Sequence, residues 1–276
     1  MKNNNRPSFP WPLLTFWTRR ILLAWFLIAF WIFLFQIIVC GIVHDNEKVK
    51  AFLQYIDLLP GFIKTMMGGD ALQLGNVAGL VSIGYQEPFV LLLYMLFAVG
   101  APTALLAGEI QNGNMELILS RPTTKTHVYT CAGLITVTGM AALVLVMFLG
   151  TVVATHLYDF EQQVPLYAFF KLAIVGGILA SSVGAVALLA AACFHRVTAI
   201  SLTVAFLVVN YFIAIVSEWW PIMKSLTPFN IFYYVNPAAI LGQPGWPIRD
   251  MAVLLTLLAV STLLGGIIWQ RRDLPL

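Results

Sequence analysis

The stretch Gly108–Tyr129, GEIQNGNMELILSRPTTKTHVY, is the longest polar interruption with a helical pattern between two long apolar runs. Within it Glu109, Asn112 and Glu116 are spaced by three and four, which places them on one face of a helix, while Met115, Ile118 and Leu119 take the other. Pro122 biases Arg121 away from helical geometry and ends this helix. Thr123 or Thr124 then caps the start of the next one. The spacing predicts a short amphipathic helix slung between two apolar helices, so the fold turns on what those helices are.

Across 276 residues the chain is 60% hydrophobic and only 10% charged, where a globular domain carries about 25% charged residues. A soluble domain is excluded and an all-α integral membrane protein is implied. Crossing a hydrocarbon layer about 30 Å thick takes about 20 apolar residues in a helix. Six runs reach that length, roughly at 21–43, 88–108, 128–157, 166–194, 198–216 and 251–269, within one transmembrane domain over 1–276. An even number of crossings puts both termini on one side. If that side is the cytoplasm, the inner segments hold Lys2, Arg6, Arg19, Arg20, Arg121, Lys125, Arg196, Arg271 and Arg272 against Glu109, Glu116 and Asp273. The outer segments then hold six basic against nine acidic residues. The excess of Lys and Arg inside is what the positive-inside rule requires, so the termini and the loop 109–127 are assigned to the cytoplasm of a multi-pass inner-membrane protein.

Ahead of the first span, Pro7, Pro10 and Pro12 are expected to keep a helix from starting early, after which Leu13, Leu14, Trp17 and Ile21 recur at helical spacing. The pattern suits an N-terminal interfacial helix, or aromatic and arginine anchoring of the first span. The outer loop 44–87 is too long for a turn and too polar to cross. Its apolar faces, Val49, Phe52, Leu53 and Ile56, then Phe62, Ile63, Met66 and Met67, suit a helical cap on the outer surface or a domain that grips substrate. Residues 218–250 are rich in Trp, Phe and Tyr but broken by Pro221, Pro228, Pro237, Pro244 and Pro247, so this outer segment reads as re-entrant-like or as a loop with an aromatic belt. In the fourth span Gly176, Ala180 and Gly184 repeat every four residues, with Gly177, Ser181 and Ala185 on the next stripe. Small residues so spaced let helices pack closely in lipid, or line a path. Ser261 and Gly265 repeat the pattern weakly in the sixth span.

The chemistry that is missing is equally informative. Neither G-x-x-x-x-G-K-[ST] nor G-x-G-x-x-G occurs, so the chain has no glycine-rich device for nucleotide phosphates. Mid-span carboxylates, lysines and arginines, the usual mark of ion coupling, are absent from the runs. Cys40, Cys131 and Cys193 share no metal-like spacing, and His44, His127, His156 and His195 are scattered. Ile38 and Val39 are bulkier than a lipoprotein acceptor such as Cys40 would want, and no run carries the cleavage site of a removed signal. No cofactor, metal or nucleic acid is expected. Active transport would have to draw its energy from another subunit.

With those residues in place, a family resemblance can be stated. Glu109, then Asn112-Gly113-Asn114, then Met115-Glu116-Leu117-Ile118-Leu119-Ser120-Arg121-Pro122, resembles the G-E…G-T-x-E-L-L-L-S-x-P signature of type-2 ABC exporter permeases, with Asn114 where that signature usually has Thr. The layout agrees over essentially the whole chain, the specific motif over about 15 residues. The resemblance implies that the short helix is a coupling helix docking on a separate ABC ATPase subunit. Glu109, Met115, Glu116, Ile118, Leu119, Ser120, Arg121 and Pro122 are its expected coupling residues, with Glu116 on the ATPase. It also implies a second permease copy, identical or related. The rival readings are a channel or ion-coupled carrier working alone, and an integral membrane enzyme. Substrate identity stays open.

Overall fold

The computed structural model describes residues 9–45, 54, 77–160, 162–217 and 220–273. Prolines start its helices more often than they forbid them. Helix α1 runs unbroken from Trp11 to Val43 with Pro12 inside its first turn, where a missing N–H goes unnoticed because that N–H would have no helical partner. Residues 11–20, expected either as an interfacial helix bending into the first span or as its anchor, are continuous with that span. After the segment 46–76, of which Gln54 alone is described and whose expected apolar cap residues all lie outside the described residues, α2 (Val77–Gln86) leads into α3 (Pro88–Thr103). The two are separated only at Glu87, whose extended ψ of 132° is the conformation that a following proline imposes. The end of the anticipated outer loop is thus a helix, buried from Gly79 to Gly84.

A short helix α4 (Asn114–Leu119) precedes α5 (Lys125–Leu157), α6 (Leu166–Cys193) and α7 (Arg196–Val216). The aromatic segment then forms two 3-10 turns, Pro221–Phe229 and Ile231–Tyr234, and the helix α8 (Pro237–Gly242), before α9 (Ile248–Arg271) closes the chain. No strand occurs among the described residues. Among the described residues six helices are long and apolar enough to cross a membrane, Val77–Gln111 counting as one. The protein is a multi-pass, all-helical membrane protein. The helical solution follows from the solvent, because lipid offers nothing to a backbone N–H or C=O and each segment must satisfy its own.

Helix α6 is the hub, packing against α9, α5, α3 and α7. Its small residues explain the closeness. A β-carbon at Gly177 would stand 2.7 Å from Val144 Cγ2, and one at Gly184 would stand 2.8 Å from Thr136 Cγ2 and 3.5 Å from the Ala98 carbonyl oxygen. Ala180 is buried between them. Gly176, on the same predicted stripe, has open space beside it within this chain, and Gly177 takes the packing position one residue on. In α9, Gly265 lies directly under the Tyr129 hydroxyl and beside the Leu189 backbone.

Polar side chains tie the helices at one end, here called the top. Gln36 Nε2 of α1 donates to Thr151 Oγ1 of α5 at 3.1 Å, and that hydroxyl meets the Tyr85 hydroxyl of α2 at 2.7 Å. Lys171, fully buried in α6, donates to the carbonyls of Gln243 and Gly245 at 2.6 and 3.1 Å, holding the exit of α8. Asn210 Oδ1 of α7 accepts from the Ile231 N–H at 3.0 Å and fixes the aromatic segment to the fifth long helix. The opposite end, the base, gathers the start of α1, the α3–α4–α5 connection and the ends of α6 and α9. There Trp17, Met115, Val128 and Trp269 share one buried apolar cluster.

Candidate functional site

Among the described residues, the connection from α3 to α5 is where the base carries a short helix with an exposed edge. Pro102 sits inside α3, so the Ala98 carbonyl loses the N–H that an α-helix would give it. Thr103 Oγ1 donates to the Val99 carbonyl at 2.7 Å. The next five residues, Ala104–Gly108, form a π-helical turn with Leu105, Leu106 and Ala107 buried, and Glu109–Gln111 follow as a last α-helical turn.

Glu109 is 2% exposed and forms an ion pair with Arg20 of α1. On its other side the Arg196 side chain of α7 lies across Gly108. Then the helix stops. Gly113 adopts φ 72°, a left-handed conformation that a glycine enters without the steric penalty of a side chain. This corrects the expectation that Glu109, Asn112 and Glu116 share one helical face. The Asn112–Gly113 turn puts Glu109 and Glu116 on separate helices, one carboxylate buried against α1 and the other exposed.

Helix α4 is amphipathic on its own six residues. Met115 is buried in the base cluster, with Ile118 and Leu119 packed partly against it. Glu116, Leu117, Ser120, Arg121 and Pro122 are exposed. Leu117 is 69% exposed, and it is the site residue that periodicity missed. It lies one step from Glu116 inside an apolar run and matches neither of the two faces counted from Glu109. Arg20 and Glu109 stand at the same end of adjacent spans with opposite signs, which is the sequence signal for their pairing.

The exit of α4 and the entry of α5 are held by different threonines. Thr123 Oγ1 donates to the Ile118 carbonyl at 2.8 Å and closes α4, while Thr124 Oγ1 accepts from the His127 N–H at 3.2 Å and caps α5. Of the two candidates for the cap of α5, Thr124 is the one that caps it. The first turn of α5 is then locked to α9. Trp269, fully buried, donates from Nε1 to the Lys125 carbonyl at 2.9 Å, and Lys125 Nζ donates back to the Arg272 carbonyl at 2.7 Å. The Arg272 guanidinium donates to the last carbonyls of α6, Ala191 at 3.2 Å and Ala192 at 2.9 Å. Burial lowers the pKa of Arg272 from the ordinary arginine value, and those two acceptors are what the partly desolvated cation gains in return.

Among the described residues no group of three or more His, Cys, Asp or Glu side chains is placed to hold a metal ion. The arrangement presents an exposed Glu-Leu edge on a small helix whose other face is sunk in the bundle. Comparison with models of known protein families gives no match, and comparison with curated proteins gives none either.

Proposed function

We propose that the protein is the permease subunit of an ATP-driven ABC exporter, with α4 as the coupling helix that docks on a separate ATPase chain. The observation that carries this reading is the split of α4 into a buried Met115 face and an exposed Glu116–Leu117 edge at the end of the bundle where basic residues concentrate. An exposed leucine beside a carboxylate, on a helix that is anchored at both ends to spans, supports docking of a partner by charge and apolar contact together. Glu116 supplies the charge that orients the partner, and Leu117 the apolar contact. In this reading the base faces the cytoplasm of a bacterium or archaeon, in accord with Arg19, Arg20, Arg121, Lys125, Arg196, Arg271 and Arg272 gathered there. The N-terminal turns of α1 lie at the inner leaflet, the aromatic segment 220–242 re-enters the outer leaflet, and a second permease copy, identical or related, completes the translocation path.

The test is purification of the protein from its native membrane with whatever ATPase accompanies it, followed by transport and ATPase measurements on Glu116→Lys. The reversal of charge is expected to abolish transport and release the ATPase while leaving membrane levels unchanged. Full transport by a normally inserted variant sinks the assignment.

A further inference from the structure

We infer that α3 carries a hinge at residues 102–108, and that α4 moves as one piece with the start of α5 while α3 bends. The inference rests on the reading of α4 as the docking helix but adds which span takes up the displacement. Three observations coincide on residues 102–108. Pro102 breaks the hydrogen-bond ladder at Ala98. The π turn at Ala104–Gly108 follows at once, and sharp bends in helices are found at prolines and π-bulges. Thr103 back-bonds to the Val99 carbonyl, which further loosens the ladder at the same point.

The base cluster around Leu105, Leu106 and Ala107 mixes small side chains, Ala132, Ala190, Ala191, Ala192 and Ala199 among them, with the large Trp17, Tyr129 and Trp269. Above the turn, α3 is clamped where Gly184 abuts the Ala98 carbonyl and Phe97 covers Gly139 of α5. Below it, Glu109 and Gly108 are held by the long, rotatable side chains of Arg20 and Arg196, which can follow a shift of the backbone. The start of α5 has no such freedom, because Trp269, Lys125 and Arg272 tie it to α9 and α6 through backbone carbonyls. A displacement arriving at α4 is therefore passed into α5 and α9, and α3 yields.

The experiment measures two distances by spin-label pairs in lipid nanodiscs, on the full chain with Cys40, Cys131 and Cys193 replaced by serine. One pair joins Leu117→Cys to Leu145→Cys on α5, the other joins Leu117→Cys to Leu92→Cys on α3, at positions 69%, 48% and 64% exposed. The α3 pair is expected to give a distribution about twofold broader than the α5 pair, as hinge motion about a few residues would produce. Pro102→Ala, or deletion of Leu105 to remove the extra residue of the π turn, narrows the α3 pair to the width of the α5 pair. Equal widths in the parent protein, or a broader α5 pair, overturn the hinge. Failure of the docking reading shows separately: Glu116→Lys would then leave transport intact, while the two widths keep their difference.

Discussion

The two ends of the α3–α5 connection are built in opposite ways. Where α3 ends, the backbone ladder is interrupted by Pro102 and a π turn, and the buried carboxylate of Glu109 is paired with the side chain of Arg20. Where α5 begins, Thr124 caps the helix and the Lys125 residue exchanges two hydrogen bonds with α9, one through its carbonyl and one through its ammonium. One end is fastened by flexible side chains, the other by main-chain acceptors and a buried indole. In a membrane protein that difference matters, since side-chain contacts re-form after a shift whereas a main-chain acceptor left dry costs about 1–3 kcal/mol. A helix slung between such ends is a lever with one stiff arm.

The strongest way to break the comparison is to remove the fastening on the soft side. Arg20→Ala leaves Glu109, 2% exposed, without its cation, and is expected to lower stability in detergent by about 2–3 kcal/mol, under the range for fully buried pairs because Arg20 itself is 45% exposed. Thermal unfolding of Arg20→Ala, and of Arg20→Ala combined with Glu109→Gln, checks this: the double variant should recover part of the loss, since the orphaned charge is gone. No loss in the single variant would mean that packing alone holds the end of α3. Next in size is Gly184→Leu, which drives a side chain into Thr136 and the Ala98 carbonyl and should destabilise by about 1–3 kcal/mol. Gly176→Leu, with open space beside it, should change the monomer's unfolding by less than about 0.5 kcal/mol. Equal effects at the two glycines would show that α6 packs differently from the arrangement seen here.

That pair of glycines also shows what the sequence could and could not reveal. Span number and the existence of a short helix at 114–119 follow from apolar run length and from Pro122, both of which act within one segment. Whether Gly176 or Gly177 meets a neighbour depends on the rotation of α6 about its axis, which Val144 and Thr136 on another helix decide. The same holds at the site. The Asn112–Gly113 pair signals a turn, yet a spacing of three and four between Glu109, Asn112 and Glu116 looks equally good for a continuous helix, and only the left-handed Gly113 separates the carboxylates. Pro102 was visible as a residue, but the π turn that follows it answers to packing against α5, α6 and α7 and has no local signature.

On the stiff side the effects are smaller and more local. Trp269→Phe keeps the ring buried and removes one hydrogen bond to Lys125, a loss of about 1 kcal/mol. Hydrogen exchange should then quicken about fivefold over residues 125–128, with no change over 104–111. Faster exchange on both sides would mean that the two ends are one cooperative unit and that the asymmetry is illusory.

The finest probe is Thr124→Ala. Loss of the cap leaves the His127 N–H without its side-chain acceptor, but Thr124 is exposed and water can take that place, so the expected cost is about 0.5–1 kcal/mol. Its value lies in comparison with Thr123→Ala, which frees the Ile118 carbonyl at the end of α4 instead. If α4 travels with α5, the five residues 120–124 must be stiff, and both threonines contribute to that stiffness from opposite directions. Either substitution should then broaden the distance distribution between positions 117 and 145 while leaving the one between 117 and 92 as broad as before. If only the 117–92 distribution responds, the stiff arm is α3, and the lever works the other way round.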